Sequence, residues 1–406
     1  MARYLFRRLL LFLPTILGAT FIVFMLMALS PISIVDALLP PTGEIRPGER
    51  AVKEAYIEER YGLNAPPPLQ YLRWLNNISP IGFAKWNKDD PKVVAAKAKE
   101  TELREARRGE LATKGITGRE ADRLVRQIDI GPNAGAPRLS RPTIKKPELG
   151  YSYIQSRPVI EMISEALPVT LTVQAVALPT AVSIALLSGI WAARHRGGFW
   201  DVGFGTMLLA LSSLPVIWVG VMFIGFLANV EYVKAFPAAG LHSVTASSMP
   251  FFPRFRESGF VPGYLLDSVW HLILPVVCVS YGTMAYYSKL TRTSLLETLS
   301  SDFVRTARAK GLPEKVVLFR HALRTSLIPL ITVAASFLPL LVSGSIVVET
   351  IFSINGMGRL AIESLYRNDR ELFLSVSLTI LILQLIGYLL ADIAYVVADP
   401  RVSYDA

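Results

Sequence analysis

Holding and cleaving a nucleotide phosphate takes a glycine-rich backbone loop and a lysine that reaches the phosphates. The chain of 406 residues contains no Gly-Lys dipeptide, so it is not expected to hydrolyse ATP by itself. One cysteine, Cys278, and four histidines supply neither a disulfide framework nor zinc-ligand spacing. A serine-hydrolase elbow, a zincin helix and paired catalytic carboxylates are equally hard to assemble. The expectation is therefore no catalytic residue, no metal and no cofactor in this chain. Asp392 is the one acid clearly inside an apolar run. Such acids can mark proton pathways, but its place in the inner half of a helix makes pairing with a neighbouring helix or a loop arginine the simpler account.

The most informative spacing lies in Leu290 to Leu330, LTRTSLLETLSSDFVRTARAKGLPEKVVLFRHALRTSLIPL. Two helices should meet at Gly311, because a C-terminal cap in the left-handed region favours glycine. Pro313 with Glu314 beside it suits the first turn of the second helix. On that helix Val316, Val317, Phe319, Leu323 and Leu327 form an apolar face, and Lys315, Arg320 and Arg324 a basic one. Such a helix either lies on anionic lipid or acts as a lever docked in a partner's groove.

These residues must be positioned by membrane helices. Hydrophobic residues make up 52% and charged residues 18% of the chain, with a mean hydropathy of +0.41, too apolar for a water-soluble domain. Crossing the hydrocarbon core takes roughly 20 apolar residues. Six runs qualify: Leu9 to Leu29, Leu167 to Ala193, Thr206 to Ala228, Val269 to Tyr287, Ser326 to Val348 and Leu372 to Ala398. The first, behind Arg3, Arg7 and Arg8, is expected to be an uncleaved anchor rather than a signal peptide, being too long and followed by Pro31. Pro168, Pro179, Pro215, Pro275, Pro329 and Pro339 lie in or beside the runs, where packed membrane helices tolerate them.

The net charge of +10 does not point to nucleic acid, because its distribution follows the membrane. Segments read as internal carry +8, including +5 from Ser288 to Thr325, and the opposite ones, leaving out Ser79 to Gly150, carry −3. Both termini are expected in the cytoplasm. Residues 79–150 read as an inserted external arm: PKVVAAKAKETELREARRGELATKG looks helical and solvated, Thr117 with Glu120 forms a capping box, and Pro132, Pro137, Pro142 and Pro147 punctuate a linker. The expected organisation is a leader and first span at 1–30, an external region at 31–165, and a five-helix core at 166–406 with the inner loop at 288–325. Asn355 to Arg359 should form the external turn before the last span. Asn77-Ile78-Ser79 matches a glycosylation acceptor, a pattern too short to weigh.

The inner loop resembles the cytoplasmic coupling loop of permease subunits of bacterial ABC importers, in the dipeptide/oligopeptide/nickel branch. That branch commonly has V-R-T-A-R-A-K-G-L, which stands unaltered from Val304 to Leu312. The wider family's Glu-Ala-Ala-x-x-x-Gly core falls on Arg305, Thr306, Ala307 and Gly311, of which only Ala307 and Gly311 match. MARYLFRRLLLFLPTILGATFIVF, RYGLNAPPPLQYLRWL, LGYSYIQSRPVIEMISEALPVTLTV, ETIFSINGMGRLAIESLYRNDRELF and LLADIAYVVADPRVSY carry the likeness along the chain, in order. Two departures are the insertion at 79–150 and the exit of span one, ALSPISIVDALL, where the branch usually has a Gly-Asp-Pro turn.

The resemblance implies an all-α, six-span type I importer permease in a bacterial inner membrane. It further implies a second, similar permease, two cytoplasmic ATPase subunits that hold ATP and Mg, an external solute-binding protein, and no nucleic acid. The coupling loop would then comprise Arg305, Thr306, Ala307, Gly311, Leu312, Glu314, Phe319, Arg320 and Leu323. Ser212, Ser213, Tyr281, Ser336 and Ser343 could offer pathway hydroxyls to a peptide, though they also suit ordinary helix packing. Peptides stand ahead of nickel chelates, opines or oligosaccharides as substrate. A stand-alone secondary transporter would show several intramembrane ionisable residues or an internal repeat, and neither is visible. A scaffold working through the external arm would leave the inner loop dispensable.

Overall fold

A computed structural model describes residues 2–29, 65–83, 91–113, 142–144, 146–152, 154–256, 259–335 and 344–398. The helices are α1 (Ala2–Ala28), α2 (Pro67–Ile78), α3 (Pro91–Thr113), α4 (Val159–Arg194), α5 (Phe199–Ser212), α6 (Val216–Met222), α7 (Gly263–Leu299), α8 (Asp302–Ala309), α9 (Glu314–Val316), α10 (Leu323–Ala335), α11 (Ile346–Ile351), α12 (Met357–Tyr366) and α13 (Arg370–Ala398). π-helical turns occupy Phe223–Leu227 and Val317–Ala322. The described residues, mostly helical, also hold three two-stranded antiparallel ribbons: β1 (Ile81–Phe83) with β2 (Pro142–Ile144), β3 (Tyr151–Ser152) with β4 (Arg157–Pro158), and β5 (Arg254–Arg256) with β6 (Gly259–Val261).

The described residues fall into two compact units, one within 68–148 and the other within 1–67 and 149–406. In the smaller unit, α2 buries Tyr71, Trp74 and Ile78, an i, i+3, i+7 stripe. The Asn76 amide both donates to and accepts from the backbone of Phe83, at 3.0 and 2.8 Å, fixing the end of β1. Helix α3 covers the Ala/Glu/Lys/Arg-rich segment. Thr117 and Glu120 lie outside the described residues.

In the larger unit, α4 and α7 run side by side in the same direction: Val173 packs with Leu272 and Val276, and Ala193 with Leu295. Close approach comes from small residues four apart on α4. Ala177, Ala181, Ala185, Gly189 and Ala193 are all buried, and a Cβ on Gly189 would stand 2.5 Å from that of Thr291. Small-residue stripes let helix backbones approach in lipid, where hydrophobicity cannot drive association. Hydroxyls finish the seam: Ser280 Oγ donates to the Ala177 carbonyl (3.0 Å) and Ser188 Oγ to Ser288 Oγ (2.9 Å). Helix α1 runs antiparallel to α13, with Arg370 over the Phe24 ring at one end and an Arg8–Asp392 ion pair of 2.6 Å at the other. Asp392 thus has the helix partner its position suggested.

Among the described residues, four helices are long and apolar enough to cross a membrane: Phe6–Ala28, Val159–Arg194, Gly263–Leu299 and Arg370–Ala394. A fifth candidate is the pair Asp201–Ser212 and Val216–Leu227, bent by 99°. The continuous run expected from Thr206 to Ala228 is therefore broken, and Pro215 is the cause. It lacks an N–H and disfavours helical backbone at Leu214 before it. Pro168, Pro179, Pro275 and Pro329, by contrast, sit inside helices. The run from Ser326 to Val348 crosses residues 336–343, outside the described residues, as does Pro339. Helix α7 continues to Leu299, so the first turns of the expected inner loop extend a span.

Candidate functional site

Helix α8 ends as the left-handed cap requires. Gly311 has φ +76°, its N–H donates to the Arg308 carbonyl (2.9 Å), and the Leu312 N–H reaches back to Ala307 (3.4 Å). These two bonds satisfy carbonyls that a helix end leaves without a partner. Pro313, with ψ +142°, then caps α9, and Arg308 spans the bend to Glu314 through two hydrogen bonds of 2.8 and 3.2 Å. Hydrogen bonding to Arg308 holds the Glu314 carboxyl below the ordinary carboxylate range.

The elbow is fastened to the two long helices. Val304 and Ala307 from α8 share one buried cluster with Val317, Leu318 and Ala322, with Ala193 of α4 and with Leu295 of α7. Ala307 therefore faces inward. Arg305, Thr306, Gly311, Leu312, Glu314, Phe319 and Arg320 are exposed, and Leu323 is half-buried.

The expected apolar face needs correction at Phe319, which is 54% exposed beside Arg320 while Val317, Leu318 and Ala322 are buried. The reason is the π turn over Val317–Ala322. Its wider i to i+5 spacing puts 317 and 322 on one side, whereas the ordinary helical spacing assumed for the sequence aligns 316, 319 and 323. The exposed edge of the elbow is consequently aromatic and basic.

Three of the five pathway hydroxyls converge at the broken helix. Tyr281, buried on α7, donates its OH to the Leu214 carbonyl at 2.6 Å. Ser212 and Ser213, exposed beside it, donate to the carbonyls of Leu209 (2.8 Å) and Ala210 (2.7 Å) of their own helix. The Tyr281 proton is thus committed to the carbonyl that the Pro215 break leaves free. Ser336 and Ser343 lie outside the described residues. No group of three His, Cys, Asp or Glu side chains that could hold a metal occurs among the described residues.

A further constellation has no counterpart in the sequence reading. Glu349, 2% exposed on α11, accepts from Thr170 Oγ1 of α4 (2.8 Å) and from the Arg359 N–H (2.9 Å), while Thr170 accepts from the Met357 N–H (2.8 Å). One carboxylate and one hydroxyl thereby satisfy the N-terminus of α12, where negative charge is favoured. The segment Asn355 to Arg359 accordingly divides: residues 352–356 turn, and Met357 onward is helix. Nearby, Asp369 caps α13 by accepting from Ser152 Oγ and the Leu372 N–H. A Glu directly past the end of an expected span, at Val348, carries no burial signal, which only the tertiary contact with Thr170 creates.

Residues 185–404, which hold the elbow, the broken helix and the Glu349 turn, match the family described as binding-protein-dependent transport system inner membrane component. The chain is 28% identical over 405 residues to the oligopeptide transport system permease protein AppB of Bacillus subtilis (strain 168), covering 100% of both chains. It is 30% identical over 262 residues to the inner membrane ABC transporter permease protein YejB of Escherichia coli O157:H7, covering 64% of this chain and 68% of that one. The likeness carried by VRTARAKGL thus extends over the elbow and the helices that hold it, and the chain belongs to the binding-protein-dependent transport system inner membrane component family.

Proposed function

We propose that the chain is the transmembrane permease subunit of an ATP-driven importer of peptides, forming the translocation pathway with a second, similar permease. The observation that carries this reading is the elbow at Gly311: a capped helical bend seated on two long apolar helices and presenting an aromatic, basic edge. Two cytoplasmic ATPase subunits, holding ATP and Mg, dock on these elbows. An external solute-binding protein delivers the substrate. Peptides are favoured over nickel chelates, opines or oligosaccharides because AppB is named for oligopeptide transport.

In this reading six spans place both termini in the cytoplasm, the bent pair α5–α6 counting as one and residues 326–348 as another. Residues 79–150 form an external arm on a core at 166–406. ATPase closure presses on Arg305, Phe319 and Arg320. Val304 and Ala307 pass the displacement to Ala193 and Leu295, since close-packed interiors transmit strain rather than absorb it. The spans then rock between inward-open and outward-open arrangements, with differential ligand affinity setting the direction. Ser212, Ser213 and Tyr281 at the break, with Ser336 and Ser343, line the route.

Replacing Gly311 tests the elbow. A Cβ there meets no atom within 4 Å, so Gly311→Val acts through its positive φ and not through a clash. Membrane insertion and recovery of the chain should be retained while peptide uptake and copurification of an ATPase are lost. Uptake at the unaltered level would overturn the coupling role.

A further inference from the structure

A cavity of about 230 Å³ opens between α4, α5 and α7, away from the elbow and along the first half of the broken helix, short of its bend at Pro215. Its chemistry is graded along the helices. Asp201, Lys289 and Arg292 line one end, whereas Leu208, Leu209 and Ala285 line it one to two turns further along α5 and α7. The charged end does not cancel. Asp201 is saturated by Arg292, whose Nη2 donates at 2.7 Å, and by the Gly197 N–H at 2.9 Å. Lys289, exposed one turn away, makes no ion pair with a carboxylate among the described residues, and Arg196 stands exposed on the adjoining loop. The rim is therefore net cationic and the depth apolar.

Gly205 borders the same open space. It lies inside α5 and lines the cavity, and a Cβ there would meet no atom within 4 Å. Glycine in a helix interior costs roughly 1 kcal/mol against alanine. Here its missing side chain leaves the cavity open.

We propose that this cavity binds an anionic phospholipid, with the headgroup phosphate at Lys289 and Arg292 and an acyl chain along Leu208 and Leu209. Basic pockets between membrane helices near a membrane surface recognise such headgroups, and an apolar wall continuous with the rim distinguishes a lipid from a free anion. The proposal does not depend on what docks at the elbow.

The test uses the full chain with whatever partners it retains, reconstituted in nanodiscs of phosphatidylcholine containing phosphatidylglycerol. After detergent extraction, retained lipid is quantified by mass spectrometry. The unaltered chain should retain phosphatidylglycerol selectively. Lys289→Gln should lower that retention about fivefold and Lys289→Arg should restore it. Gly205→Phe, which fills the cavity, should abolish it at unchanged yield. If Gly205→Phe fails to fold, the Lys289 pair decides alone. Equal retention of phosphatidylglycerol by folded Lys289→Gln, or equal retention of phosphatidylcholine and phosphatidylglycerol, would overturn the proposal. Displacement by inorganic phosphate alone would assign the rim to a free anion and overturn it too.

Discussion

At Gly311 the backbone sits at φ +76° and an added Cβ would touch nothing within 4 Å, whereas Gly356 has φ −97° and an added Cβ would stand 2.5 Å from both Glu349 Cδ and Thr170 Oγ1. Both glycines join helices. The first is required by conformation and the second by space, and their surroundings differ in the same sense. The elbow is held by an exposed ion pair and a small apolar patch, while the turn before α12 is held by a buried carboxylate whose hydrogen-bond partners are all donors. A turn of the first kind can alter its contacts at modest cost. One of the second kind locks α11 and α12 to α4.

The contrast breaks most visibly at Gly356. Gly356→Val should cost about 3 kcal/mol or more, as overpacking a filled site does, and should appear as a sharply lowered midpoint of thermal unfolding in detergent. Glu349→Gln comes next, at roughly 1–3 kcal/mol, because an amide N–H₂ would face donors and leave one unsatisfied. Combining it with Thr170→Val should cost less than the two separate losses together, the signature of one network in a double-mutant cycle. Gly311→Val should cost only about 1–2 kcal/mol, from forcing a left-handed backbone on a β-branched residue, with Gly311→Asn milder still. A Gly311→Val loss as large as that of Gly356→Val would erase the distinction.

The smallest effect belongs to Glu314→Gln. The Arg308 and Glu314 side chains are 43% and 66% exposed, so the pair is screened and contributes less than about 1 kcal/mol. Its sign is fixed nevertheless. The Glu314 carboxyl is held below its ordinary range, so the contribution is present above the ordinary carboxylate pKa and is lost as pH falls through the lowered value. Unfolding midpoints of the unaltered chain and Glu314→Gln should therefore converge on acidification.

Much of the elbow is legible in the sequence. Gly311 and Pro313 act through backbone geometry, which belongs to the residue itself, and the apolar length of α1, α4, α7 and α13 is likewise a local property. What escaped was set by packing. The π turn that exposes Phe319 has no residue signature, and Pro215 breaks its helix while Pro179 and Pro275 do not. Burial of Glu349 depends on Thr170, far away in the chain. One packing signal is local: Ala177, Ala181, Ala185, Gly189 and Ala193, four apart, announce a close helix partner.

Helices α4 and α7, of 36 and 37 residues, each run to roughly 54 Å, against a hydrocarbon core of about 30 Å. They overhang the bilayer, and their joined seam reaches the elbow at one end and the Glu349 turn toward the other. The excess of rod over core sets the elbow off from the hydrocarbon, so a bilayer a few ångströms thicker or thinner changes that stand-off by no more than the same few ångströms.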